Sequence, residues 1–141
     1  MTLVVRVPLI MMFGDGLCLC PWLVLIRWEV SEANRKHLIP HELRHVEQQR
    51  VDGWWRFWWS YLTDQRAKLA YEVQAYKVSI ASGLSLWVAA DVLANEYRFK
   101  FGGKQLTHAQ AQMLLEAVVD DGPLLSASRI QELLAAQTAT H

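Results

Sequence analysis

Residues 38–48 read Leu38-Ile39-Pro40-His41-Glu42-Leu43-Arg44-His45-Val46-Glu47-Gln48, and the chemistry and fold of the chain turn on them. His41 and His45 are four residues apart. On a helix that spacing separates two side chains by about 40° around the axis and about 6 Å along it. Two imidazoles so placed can both reach one zinc ion at roughly 2.0–2.1 Å. Glu42 is turned by about 100° from His41, beside an ion rather than under it. There it can take a proton from a water at the metal and pass it to a leaving amine. The pattern HExxH is expected by chance in about one chain in a hundred of this composition. The apolar neighbours Leu38, Ile39 and Val46 also suit a helix packed into a domain.

Outward from the motif, the chain reads as strands before it and helices after it. Residues 3–13 are β-branched and apolar and end at Gly14-Asp15-Gly16, which is turn chemistry. Residues 17–30 resume a strand-like pattern, so a hairpin through that turn is expected. No strand is expected after Ser31. Pro40 fits only a first helical turn, which places the motif helix at 38–51, ended by Asp52-Gly53. Further helices are expected at 54–63, 65–81, 84–99 and from the N-cap Thr107, with Gln110 as capping-box partner, to Val119. A last amphipathic helix should cover 126–136, with Ile130, Leu133 and Leu134 on one side.

The chain has 141 residues, enough for one domain, 1–141. Hydrophobic residues make up 52% and charged residues 20%, which excludes a disordered chain. Lys+Arg and Asp+Glu both total 14, and the absence of net charge argues against nucleic acid as partner. Cys18 and Cys20 are the two cysteines, too few for a disulfide framework or a four-ligand zinc site and consistent with a reducing compartment. Arg6, Pro8, Gly14, Asp15, Gly16 and Pro21 interrupt the greasy N-terminus. Neither a signal peptide nor a spanning helix is expected, and the cytoplasm is the expected location.

A catalytic zinc takes three protein ligands and leaves a position open. The third-histidine continuation fails, because Gln48 and Val51 occupy its positions. A carboxylate from a later helix is needed, and Glu72 is the favoured candidate: the second helix supplies the return that brings the third against the first. Asp64, Glu47, Asp52, Asp91, Glu96 and His108 remain as rivals. Gln48, three residues after His45, is placed to hydrogen-bond a ligand. Tyr76, one turn after Glu72, can offer its hydroxyl to a developing oxyanion, and Tyr71 is a weaker candidate for the same role.

His41-Glu42-x-x-His45-x-x-Gln48, followed by a Trp/Phe-rich helix and Glu72-x-x-Ala75-Tyr76, resembles the small gluzincin-type metallopeptidases of bacteria and phages over residues 17–83. The residue pattern along the chain reads as an α+β fold, a small N-terminal antiparallel β element (1–30), metal-site helices (38–83) and C-terminal helices (84–141), five or six helices in all, and the resemblance makes that bundle zincin-like. The resemblance implies zinc held by His41, His45 and Glu72, with Glu42 as catalytic base, and a peptide or protein substrate paired along an edge strand at 17–28. A phage-associated setting is part of what it implies. Pro40 before the motif, and Cys18 and Cys20 in the strand, depart from the family pattern.

Trp54, Trp55, Trp58 and Trp59 form one wide stripe. The stripe is expected to be core, clamping the first helix against the third; as surface it would meet a membrane or protein partner, or it could wall a substrate pocket. A second class of function uses that surface: a non-catalytic interaction protein, virion- or membrane-associated, with a structural or vestigial zinc. A structural site would be closed by a fourth protein ligand and a catalytic one left open. His37 and His108 read as isolated histidines. A DNA-binding helix pair at 107–136 is disfavoured, since Arg129 is its one cation.

Overall fold

A computed structural model describes residues 1–8, 15–101, 103–117, 130–132 and 134–135. Strands β1 (Leu3–Val7), β2 (Gly16–Cys20) and β3 (Leu23–Arg27) form one sheet in the order β1-β3-β2. The helices α1 (Glu32–Asp52), α2 (Trp54–Thr63), α3 (Gln65–Ala81) and α4 (Leu86–Asp91) follow. A π-helical turn, Val92–Glu96, extends α4; the two-residue strands β4 (Lys100–Phe101) and β5 (Lys104–Gln105) precede α5 (His108–Ala117). The α+β class therefore holds, with strands mostly first and helices after.

The β element is mixed, not antiparallel. β3 is central: it pairs antiparallel with β2 and parallel with β1, Leu3 opposite Leu23. The expected strand at 17–28 is two strands, because Pro21-Trp22 forms a turn between them. Proline presets φ for a turn and lacks the N–H a central strand needs. The hairpin is therefore β2–β3, not one through Asp15-Gly16. The expected continuation of the first strand at 9–13 and the turn residue Gly14 lie outside the described residues. β4 and β5 are unexpected strands, joined by a turn in which Gly103 has φ 79°.

α1 begins two turns earlier than the motif suggested. Ser31 caps it, its hydroxyl accepting from the Asn34 amide at 3.2 Å, and Glu32 places an acid in the first turn. Pro40 therefore lies inside the helix. Its missing N–H leaves the Lys36 carbonyl without a helical donor, at an exposed position where water can serve. Gly53, at φ 84°, turns the chain into α2. α3 is capped by Asp64, whose carboxylate accepts from the Arg66 amide at 2.8 Å. It ends in a Schellman pair about Gly83 (φ 100°): Leu84 N–H donates to Ser79 and Gly83 N–H to Ile80. The capping box at Thr107 and Gln110 forms as expected. Of the helix expected at 126–136, residues 130–132 and 134–135 are described and helical.

Two apolar cores result. One lies under the sheet, built from Cys18, Val24, Ile26, Val30 and Val46 with Leu38 and Ile39 against them. The larger joins α3, α4 and α5 through Leu69, Val73, Leu93, Phe99, Leu114 and Ile130 among others. α1 runs between the sheet and α3. Its buried residues are His41, Glu42, His45, Val46, Gln48 and Gln49, so five of the six are polar. A polar layer between two apolar cores is costly unless each group is paired, and that layer is the candidate site.

The tryptophan stripe is surface, not a clamp. Phe57 is the buried residue of α2, at 2% exposure, while Trp55 and Trp59 are 78% and 73% exposed. Phe57 and Tyr61, one turn apart, supply the inward stripe and stack at 5.5 Å between ring centroids. Trp54 and Trp58 lie along its flank and donate their indole N–H groups to the Leu19 carbonyl.

Candidate metal centre

α1 and α3 bring His41, His45 and Glu72 together, all buried. The Nε2 atoms of the two histidines are 3.2 Å apart. His41 Nε2 lies 3.4 Å from Glu72 Oε2, and His45 Nε2 lies 3.6 Å from Glu72 Oε1. Tetrahedral ligands at 2.0–2.1 Å from a common ion stand about 3.3 Å apart. The three donors therefore form a triangle of the size that one ion requires. Among the described residues this is the one group of three or more such donors within reach of an ion. Of the six rivals to Glu72, none joins it.

The ring tautomer of His45 follows from its neighbours. The Gln48 amide nitrogen donates to the Tyr71 carbonyl at 3.1 Å and to Gln74 Oε1 at 3.0 Å. Its oxygen therefore faces His45, 2.8 Å from Nδ1, and Nδ1 must carry the proton. In the neutral ring Nε2 is then left with its lone pair aimed at the triangle. Gln48 thus occupies the supporting place its spacing suggested. On His41, Nδ1 lies 3.5 Å from the Ser79 hydroxyl, which donates to the His37 carbonyl. Ser79 had no signal in the sequence beyond its place two turns after Glu72.

Glu72 is held from two further elements. Tyr61 of α2 donates to Oε1, and Tyr97, at the end of the π-helical turn, donates to Oε2 at 2.9 Å. Neither tyrosine stood out in the sequence. Tyr61 lay hidden among the tryptophans, and Tyr97 reaches Glu72 only through tertiary packing. Tyr76 packs its ring edge-on against His41, 4.5 Å between centroids, and its hydroxyl faces that of Tyr97. Tyr71 instead donates to Asp52 at the far end of α1.

Electrostatics tie the acid and the two bases together. Burial acts against an ionised Glu72, but the His45 and His41 rings outweigh it and hold the carboxyl well below its usual range. Burial likewise opposes a charged His45, yet the Glu72 carboxylate, with Glu42 and Gln48, lifts its pKa to about 9. Glu42 is shifted upward by burial, with the histidines pulling the other way, Glu72 adding to the rise and the Cys18 amide hydrogen-bonding its charged form. Burial, then the carboxylate of Glu72, pushes the Tyr61, Tyr76 and Tyr97 hydroxyls up, so each stays a donor.

Glu42 reaches the site through a gap at Gly16. A Cβ there would stand 2.6 Å from Glu42 Oε1; the glycine read in the sequence as a turn residue is where the strand backbone meets the carboxylate. The outward-facing groups of β2 at Cys18 are taken: its amide by Glu42 and its carbonyl by Gln49 at 3.2 Å. By the alternation of an antiparallel ladder, Gly16 also directs its peptide groups outward. Two cavities meet across His41, Glu42, Gly16 and Tyr97. The larger, about 610 Å³, runs along His37, Leu38, Tyr76, Leu84 and Val88. The smaller, about 120 Å³, borders His45, Glu72, Leu17, Phe57 and Trp58. His37, read as isolated, thus lines the larger cavity one turn before His41; its Nδ1 is buried without a hydrogen-bond partner.

No helix among the described residues is long and apolar enough to cross a membrane. No protein-family model, curated protein or solved structure matches the chain. The geometry itself shows a buried His-His-Glu group able to hold a metal ion.

Proposed function

We infer that the chain is a zinc-dependent peptidase in which His41, His45 and Glu72 hold the ion and Glu42 is the general base. The observation that carries this reading is the donor triangle with edges of 3.2, 3.4 and 3.6 Å, set beside a buried carboxylate. Two neutral imidazoles and one carboxylate are a donor set zinc favours, and three protein donors leave a position free. Zinc bound there would lower the pKa of a water and polarise the scissile carbonyl.

The residues of the chain supply the rest. Glu42, its pKa raised by burial, takes a proton from the attacking water and gives it to the leaving amine. Gln48 and Ser79 keep the proton of each imidazole on Nδ1, so Nε2 stays a ligand. Tyr76, kept protonated, is the hydroxyl available to a developing oxyanion, while Tyr97 stays committed to Glu72. The two cavities meeting at Glu42 offer room for chain on either side of the bond cut, and the outward peptide groups of Gly16 can anchor it. The open cavity and the lack of a fourth donor among the described residues favour this over a structural zinc in a non-catalytic interaction protein.

The test is Glu42→Gln in the zinc-loaded chain, assayed on a mixture of unstructured peptides by mass spectrometry. Cleavage by the parent and none by the variant, with zinc content equal, supports the reading. Equal cleavage by both contradicts the role of Glu42, and no cleavage by either contradicts the peptidase reading.

A further inference from the structure

The larger cavity carries a carboxylate that no described basic residue pairs with. Its apolar wall comes from Leu38 of α1 and from Leu84, Val88 and Val92, before and along α4 and the π-helical turn. Glu96 closes that turn and lines the same cavity. On an α-helix Val92 and Tyr97, five residues apart, would point about 140° away from each other. The π-helical turn is wider: the Tyr97 N–H donates to the Val92 carbonyl at 3.3 Å, which brings Val92, Glu96 and Tyr97 toward one side. Tyr97 thereby reaches Glu72 at 2.9 Å, and Glu96 stands at the cavity beside the site. After burial and Glu72, the Glu96 carboxylate does most to raise the Tyr76 hydroxyl, so its charge lies on the cavity side of that ring.

The charge balance of the cavity selects the ligand. Arg27, the one lysine or arginine among the lining residues, is held by Asp15 at 2.6 Å and faces Glu29 at 3.7 Å. Arg98 and Lys100, the bases that follow Glu96 in sequence, do not line the cavity, and no basic side chain among the described residues pairs with Glu96. Glu42 and Glu72 are set against the two charges of an ion at the triangle, and Asp15 is cancelled by Arg27. Glu96 therefore leaves the cavity one negative charge at the end of an apolar wall. A long aliphatic stem that ends in a cation fits both features: the stem is dehydrated against the wall, and the head meets the carboxylate. Glu96 is exposed, so the cation keeps part of its hydration there and the pair is spared the full cost of burial. Resting on the peptidase reading, we propose that this cavity takes a lysine or arginine side chain of the substrate, its stem along Leu38, Leu84, Val88 and Val92 and its cation at Glu96. An α-amine has no such stem and would leave the wall bare.

The test is calorimetric binding of short peptides to the zinc-loaded Glu42→Gln chain, in which they stay uncut. Three are compared: a blocked alanine pentapeptide with lysine at its centre, the same peptide with norleucine there, and the norleucine peptide with a free amino terminus. The lysine peptide should bind about tenfold tighter than the blocked norleucine one, the worth of one hydrogen bond to a charged group. Adding Glu96→Gln should bring that ratio close to one with an unchanged circular dichroism spectrum. Equal binding of the two blocked peptides overturns the proposal, as does a lysine preference that survives Glu96→Gln or the absence of binding by all three. A free-amino norleucine peptide that binds as tightly as the lysine one overturns it too, since the carboxylate would then serve an α-amine. Lysine-selective binding without cleavage by the parent chain leaves this inference standing and contradicts the hydrolytic reading alone.

Discussion

Gln48 fixes the ring of His45: its side-chain oxygen lies 2.8 Å from Nδ1, while its amide nitrogen is committed to the Tyr71 carbonyl and to Gln74. Three groups of α3 and α1 thereby determine which nitrogen of one histidine faces the candidate metal position. Gln48→Leu leaves the Nδ1 proton unpaired in a buried place and frees the ring to turn. The expected effect is a 10–100-fold loss of metal affinity, measured by competition with a chromophoric chelator, with helical content retained.

Gly16 and Glu42 are in comparable dependence. A methyl group at position 16 would stand 2.6 Å from Glu42 Oε1, so Gly16→Ala must push the carboxylate aside. A displacement of about 1 Å at a reacting group costs on the order of 10²-fold in rate. Peptide cleavage should fall in kcat by about that factor while zinc stoichiometry stays unchanged. An unaltered kcat would show that the carboxylate does not depend on the gap.

Glu42 should also cost stability. Its folded pKa lies above the unfolded value, chiefly through burial, so the folded state binds more protons and the cost grows as pH rises above about 4.5. Metal-free Glu42→Gln should melt at a higher temperature than the parent at pH 7–8, by a few degrees, and show little difference near pH 4. Thermal unfolding across that range is the measurement.

The pair of His45 and Glu72 gives the metal-free protein its own pH profile. His45, raised to about 9, contributes stability that is present below its unfolded value near 6.5 and lost as pH rises through 9. Glu72, lowered, contributes stability that is present above about 4.5 and lost as pH falls through its depressed value. A metal ion must displace the His45 proton. Binding at pH 7 should therefore release about one proton from this ring, and apparent affinity should weaken about tenfold for each pH unit below 9. Calorimetry in buffers of different ionisation enthalpy checks both; uptake of a proton would contradict the pairing.

Much of the site was legible because helical spacing is local. His41, Glu42, His45 and Gln48 lie on one helix, and four-residue periodicity alone places them. Glu72 followed from counting helices and a return connection. Tyr61, Ser79 and Tyr97 reach the ligands only through packing of α2, α3 and the π-helical turn on α1, and no spacing rule encodes that. The sheet misled for a physical reason: Gly14-Asp15-Gly16 and Pro21-Trp22 are both turn chemistry, and choosing the first made one strand of two. Pro40 misled likewise, since propensity favours a first turn while Ser31 and Glu32 start the helix earlier. The tryptophans read as core on hydrophobicity, but α2 is short and Phe57 with Tyr61 already fills its inward side.

The claim on which the rest stands is that His41, His45 and Glu72 bind one zinc ion together. Inductively coupled plasma mass spectrometry on the purified full chain, beside His45→Ala and Glu72→Ala, tests it most directly. One zinc per chain in the parent and far less than one in each variant is the expected result. A parent without stoichiometric zinc that takes none up from solution, or variants that retain it, would contradict the claim.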